Sequence, residues 1–478
     1  MTSKLAIAAV VLSLVLLLVR NLRLALALIL VTPFVGYPLY VLVTGRASAF
    51  LLPEGLLPVT ILIWLFSTRA PRPPVSRWFL GLYVFFALSC YTTLLFPGPV
   101  PMRYTLFHSA RCLEILFLFL LASTVYISDG AFRRIQYVMV IVGAAAGVAT
   151  VLHGLGVINI DLPVYMSAPW GEGGSADIGS YEGFIGIRRQ TWTAMLLLCA
   201  WNGVALANVS RRGRALLPWC LAVAAGIGVT FGSARSALVG MMAAVAWYLI
   251  KIQKTKALLY AAAGVTALVL LGPRISHVPV VQYRIVQHLF GLVAEGGVSR
   301  DMSAFNRLQN WSASLVFLLR NPWALIVGIG HGNYVALRDY FHAGPAAHGH
   351  NIYIHFLVET GIIGLALFLY TYGLIWRRVT RMVFSDDPGR NRLARAAISA
   401  AFVGVAVTSV FDTVLAVPYA PGYPFILMFT TWIGILAGRA HQQAVAASEY
   451  QLSEDWYGAG GLVAPEPVRA WQGGEGYA

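Results

Sequence analysis

Charge is scarce in this chain, since Asp, Glu, Lys and Arg together make up 11% of its 478 residues. Soluble domains carry about a quarter, so a soluble globular protein is excluded. Acidic residues are scarcer still: 19 stand against 34 Lys and Arg, for a net charge of +15. In a soluble protein such an excess would raise nucleic-acid binding. Here Arg and Lys fall mainly in short loops between apolar runs, which is the bias of membrane loops toward the cytoplasm, and no nucleic-acid partner is expected. Cysteine is rare as well. Cys90, Cys112, Cys199 and Cys220 all lie inside apolar stretches without paired spacing, which indicates neither a disulfide framework nor a zinc site. A small-residue cleavage site is also missing between the apolar run at 5–19 and the next run from Leu24, so the first run reads as a span and not a removable signal.

What is abundant is apolar sequence, 58% of residues with a mean hydropathy of +0.72. A bilayer core needs about 20 apolar residues per helix. Candidate spans fall at 4–19, 24–44, 50–67, 78–96, 106–127, 135–156, 191–209, 216–231, 236–252, 257–273, 351–375, 396–417 and 420–438. The runs are too long and too uniformly apolar for barrel strands, which leaves helices. The expected fold is an all-α polytopic membrane protein of about 12–13 transmembrane helices. A bundle over 1–273 is followed by a large outward loop over 274–350, three helices over 351–438 and a flexible, cytoplasmic, Gly-rich tail over 439–478. Basic loops at Arg69 to Arg77, Arg133 and Arg134, Arg211 to Arg214, Lys251 to Lys256 and Arg377 to Arg395 fall on one side of this alternation. The positive-inside rule makes that side the cytoplasm, so the 274–350 loop and a second loop over 157–190 face outward.

The segment from Phe305 to Gly364 concentrates Arg, His, Asn and Gly in an otherwise apolar chain. Arg307 is followed by Trp311 and a helix-like apolar stretch. Pro322, Gly328, Gly330 and Gly332 come next, then His348, His350 and Asn351 at the mouth of a span. Glycines at alternate positions imply a backbone that turns tightly or lets a bulky ligand approach, which makes Gly328 and Gly330 candidate binding positions.

Arg307, Trp311, Pro322, Gly328-Ile329-Gly330, His350-Asn351-x-Tyr353 and Glu359-Thr360-Gly361-Ile362-Ile363-Gly364 resemble the O-antigen ligase and polysaccharide polymerase superfamily of the bacterial envelope. The resemblance implies transfer of a glycan from an undecaprenyl-pyrophosphate carrier to a glycan or lipid A core acceptor. The reaction would take place at the periplasmic face of the inner membrane, would invert the anomeric centre and would need neither cofactor nor metal. A repeat-unit polymerase of the same superfamily fits these residues equally. A polytopic transporter would also have many spans, glycine-broken helices and intramembrane ionisable groups.

Four arginines are misplaced under the positive-inside rule: Arg188 and Arg189 close the 157–190 loop, Arg235 sits in a short outer turn and Arg307 lies in the long loop. A guanidinium binds phosphate oxygens in bidentate fashion and keeps its proton, so these residues suit a lipid-linked pyrophosphate and would make it a better leaving group. The competing reading has them reaching anionic lipid or pairing with Asp177, Glu182 or Asp301. His350 is the candidate general base, since an imidazole of ordinary pKa about 6.5 can take a proton from an attacking sugar hydroxyl. Asn351 could orient the ring or a sugar, Tyr353 offers an aromatic face, and His348 and His331 are weaker candidates. Metal-binding is not expected of these histidines, whose spacing matches no zinc signature. In the span from 106, His108, Arg111 and Glu114 share one helix face. There Arg111 and Glu114 form either a structural pair or part of a substrate groove.

Overall fold

The computed structural model describes residues 21–44, 60, 61, 64, 71–95, 102–155, 157, 158, 189–232, 234–253, 256, 259, 302–334, 350–415 and 423–460. Among them every regular element is helical. In chain order these are α1 (Leu22–Thr44), α2 (Val75–Ser89, extended by a 3-10 turn at Cys90–Leu95), α3 (Met102–Thr124), α4 (Asp129–Gly154), α5 (Arg189–Val209) and α6 (Leu216–Phe231). They continue with α7 (Arg235–Lys251), α8 (Met302–Arg320), α9 (Pro322–Val327), α10 (Ile352–Val379), α11 (Pro388–Phe411) and α12 (Tyr423–Gly460). Seven stretches among the described residues are long and apolar enough to cross a membrane, one each in α2, α3, α4, α5, α10, α11 and α12. The protein is thus an all-α polytopic membrane protein. The expected span at 4–19, and most of those at 50–67 and 257–273, lie outside the described residues, as do Arg188 and His348.

Small residues set the helix packing, as they must where lipid is as apolar as leucine and close backbone approach supplies the contact. A Cβ on Gly143 of α4 would strike Cys199 of α5. One on Gly147 would meet the Ala224 and Ala225 backbone of α6, and one on Gly203 of α5 would meet Ala222. The α4–α5–α6 group is held at this distance, and α7 lies on α11 in the same way, with Gly240 against Thr408 and Gly404.

The chain alternates between two ends, and specific contacts fix which helix termini share an end. Arg439 of α12 pairs with Asp129 at the start of α4, Gln443 exchanges hydrogen bonds with the Val383 backbone, and Arg378 lies 3.4 Å from His441. These contacts gather one end, where the basic loops sit. At the opposite end Gly154 meets Phe231, Gly232 meets Thr193, and Arg111 stacks on Tyr423.

Two boundaries differ from the sequence expectation. The span expected over 396–417 begins earlier, at Pro388 behind the Asp387 cap, and ends at Phe411, because Asp412 turns extended (φ −156°, ψ 167°) and its carboxylate accepts from Thr413 N at 2.8 Å. The flexible tail expected from 439 is helical as far as Gly460. Beyond Arg439 the sequence is rich in Ala, Gln and Glu, which favour helix intrinsically. Polar anchors hold that extension where the sequence has no apolar face to show: Arg439 stacks on Phe132 at 4.5 Å, and Gln442 donates to Val125 O at 3.2 Å.

Gly147→Ala should therefore lower the thermal midpoint of the detergent-solubilised protein, by an overpacking cost of about 1–3 kcal/mol. Gly373→Ala, on α10 with no atom within 4 Å of its Cβ position, should instead stabilise by roughly 0.5–1 kcal/mol. Intrinsic-fluorescence melting of the two variants checks the opposite signs.

Candidate functional site

The end opposite the basic loops is built around a break in α10. Gly361 carries φ 65° and ψ −172°, a conformation reserved for glycine in practice, and the helix kinks there. The carbonyls of Val358 and Glu359, which an unbroken helix would give to residues four further on, are released. The glycine-rich loop takes them up: Ile329 N donates to Val358 O at 3.0 Å and Gly330 N to Glu359 O at 2.7 Å. That approach requires bare backbone on both sides. A Cβ on Gly328 would collide with the Glu359–Thr360 peptide, and one on Gly361 with the Ile326–Val327 peptide. Gly330 and Gly332 also have positive φ, at 102° and 81°, and seat the loop against Ser89, Thr92 and His108.

Glu359 fastens this joint. Its carboxylate lies 2.8 Å from His331 Nδ1 and 3.2 Å from His355 Nε2, accepts from Tyr334 N at 3.0 Å, and is fully buried with both imidazoles. His331 stacks on Phe86 of α2 at 4.7 Å. The Tyr334 hydroxyl meets Ser314 of α8 at 2.8 Å; burial pushes it up to about 12, with Glu359 adding to the rise and Ser314 opposing it. His331 is one of the two weaker histidine candidates from sequence, and His355 is not among the candidates. The signal for His355 was its spacing: four residues before Glu359 on a helix, it shares a face with the only acid of that span.

Around the joint the sequence candidates distribute as follows. Asn351 is buried and caps α10, its side-chain oxygen accepting from Tyr353 N at 2.9 Å and Ile354 N at 3.1 Å. These bonds fix the start of the helix. His350 precedes it with φ 49°, an uncommon backbone state for a residue with a side chain, and is half-buried. Tyr353 donates to Ala406 O on α11 at 3.0 Å. Arg307 lies one turn before Trp311 on α8, and Trp311 packs against Phe411 with ring centroids 6.5 Å apart. Arg235 opens α7, whose register on α11 is set by Gly240 against Thr408 and by a 2.8 Å hydrogen bond from Trp247 to Ser399. That register brings Arg235 level with the residues just past Thr408, where α11 ends at Asp412.

Arg235, Arg307 and His350 thus each lie within about one helical turn of a contact on the last turns of α11. Arg189 opens α5 at the same end, one turn from the Thr193–Gly232 contact that leads into Arg235. Arg111 and Glu114 are also at this end but form a bracketed pair: they meet at 2.9 Å, Tyr423 donates to the same carboxylate oxygen, and the guanidinium sits between the Phe107 and Tyr423 rings at 4.9 and 4.0 Å. Of the two readings from sequence, this geometry favours the structural pair.

Residues 220–369 match the O-antigen ligase family. The match takes in Arg235, Arg307, the glycine loop, His350 and Glu359, and leaves out Arg111, Glu114 and Arg189. No curated protein matches the chain.

Glu359→Ala should cost about 3–5 kcal/mol of stability, because it leaves buried polar groups facing an empty space. Glu359→Gln, which keeps an acceptor for Tyr334 N, should lose less. Melting of both variants against the parent protein checks the order; equal stability of the alanine variant would show that the joint does not depend on this carboxylate.

Proposed function

From the match of residues 220–369 to the O-antigen ligase family, we propose that this chain transfers a glycan from an undecaprenyl-pyrophosphate carrier to an acceptor hydroxyl at the periplasmic face of the inner membrane. The chain is a multi-pass membrane protein of a glycan-processing superfamily. The finer reading is supported by one observation above all: Gly240, Trp311 and Tyr353, which lie near Arg235, Arg307 and His350 in the chain, each meet the last turns of α11, away from the basic loops.

In this reading Arg307 and Arg235 hold the pyrophosphate, whose oxygens a planar guanidinium meets in bidentate fashion. Charge builds on the leaving pyrophosphate as its bond to the anomeric carbon breaks, and the two cations stabilise that charge where it develops. His350 takes the proton from the acceptor hydroxyl as the oxygen forms the new bond on the opposite face of the sugar, and inversion follows. Arg188, Arg189 and Tyr353 are, from the sequence, the proposed contacts for the glycan. The Gly328 to Gly332 loop and Asn351 keep Arg307 and His350 in place by fixing α8 and the first turn of α10.

A repeat-unit polymerase of the same superfamily is the second reading, since the same groups would serve when the acceptor is another lipid-linked repeat. Whole-cell glycan profiles separate the two. Loss of the protein leaves long lipid-linked chains if it is a ligase and single-repeat products if it is a polymerase.

The test of the site is a reconstituted assay with purified protein and radiolabelled lipid-linked glycan. His350→Ala should slow transfer by about 10²–10⁴-fold, and Arg307→Ala should slow it comparably, with Arg307→Lys restoring only part because a point charge replaces the fork. Unchanged turnover in both alanine variants would remove the site assignment. An intact pyrophosphate linkage after incubation of the parent protein would instead favour transport.

A further inference from the structure

A cavity of about 610 Å³ opens at the basic end of the bundle, between the last turns of α7 and α10 and the first three turns of α11. Its floor is aromatic. Trp247 and Trp376 stand 5.8 Å apart, and both donate their indole N–H to Ser399 Oγ, at 2.8 and 3.1 Å. The hydroxyl holds both rings, and their apolar surfaces are left to line the cavity. Its rim is cationic: Lys251, Arg377, Arg392 and Arg395. Arg395 is partly committed, donating to Met382 O at 2.7 Å and Arg381 O at 2.9 Å. Lys251 rests over Trp247 at 4.7 Å. Among the described residues no carboxylate pairs with Lys251, Arg377 or Arg392. The nearby Asp387 is occupied by the Gly389 and Arg390 amides and by the Arg390 guanidinium at 3.3 Å.

We propose that this cavity binds an anionic glycerophospholipid, with the headgroup phosphate among Lys251, Arg377 and Arg392 and an acyl chain along Trp247 and Trp376. Charge complementarity selects the occupant, because a cluster of cations without acidic partners over an indole floor at the membrane boundary suits a group that is charged at one end and apolar at the other. A second cavity that shares Trp376 as a wall offers the acyl chain its path. Trp376 also lines an apolar pocket of about 280 Å³ that continues between α10, α11 and α12 past Phe402 and Phe429. The site is independent of the glycan-transfer reading, since it lies at the opposite end of α10 and α11. A lipid seated there would tie together the two helices whose far ends carry His350 and the Trp311 contact.

Native mass spectrometry of the full-length protein in neutral detergent tests this, with phosphatidylglycerol and phosphatidylcholine as probes. Phosphatidylglycerol should be retained in preference. Arg377→Gln and Arg392→Gln together should weaken its retention by about five-fold per cation removed. Both side chains are exposed, so the variant should fold. Arg211→Gln with Arg214→Gln, exposed basic residues at the same end outside the cavity, should leave retention unchanged. The proposal fails if the cavity variant binds like the parent protein, or if the Arg211 and Arg214 variant loses as much, which would indicate general surface attraction. Displacement of the lipid by millimolar inorganic phosphate would overturn it in favour of a soluble anion.

Discussion

The arrangement of the polar end depends on backbone meeting backbone at the kink of α10. In a bilayer a released carbonyl has no water to turn to, and leaving it without a partner costs several kcal/mol. Gly361 releases the Val358 and Glu359 carbonyls, and the loop after α9 supplies the Ile329 and Gly330 amides. The break in the helix and the docking of the loop are therefore one event: neither is tolerable alone. Glycine is needed on both faces because any Cβ at Gly328 or Gly361 falls on the opposing peptide.

This joint organises the surroundings at two distances. Close by, it buries Glu359 between His331 and His355, where both imidazoles and the Tyr334 amide meet its carboxylate. Further out, it ties α8 to the loop through the Tyr334–Ser314 contact, while α10 runs from its Asn351 cap into the joint. Arg307 lies on α8, and His350 immediately precedes the α10 cap. The remaining proposed cation, Arg235, arrives by a separate route through the α7–α11 contact at Gly240.

The helical bundle was legible in the sequence because long apolar runs have few other solutions in a membrane. The kink at Gly361 was not, since ETGIIG reads as helix by hydropathy and nothing local separates a packing glycine from one with positive φ. His355 was hidden for the same reason, as one polar residue in an apolar run, while its partner His331 lay outside that run. Asn351 was visible as a polar residue beside His350, but its capping role depends on where α10 begins. The helical continuation to Gly460 was missed because its anchors, Arg439, Gln442 and Gln443, find their partners on α4, after α3 and in the turn before α11, and no periodic face announces them.

The most direct test is a structure determined by electron microscopy with undecaprenyl pyrophosphate bound. The account predicts diphosphate density at the end of α11, contacted by the Arg235 and Arg307 guanidinium groups, with the His350 ring facing the position an acceptor hydroxyl would take. Density at the basic end, or a diphosphate held with neither arginine in contact, would contradict it.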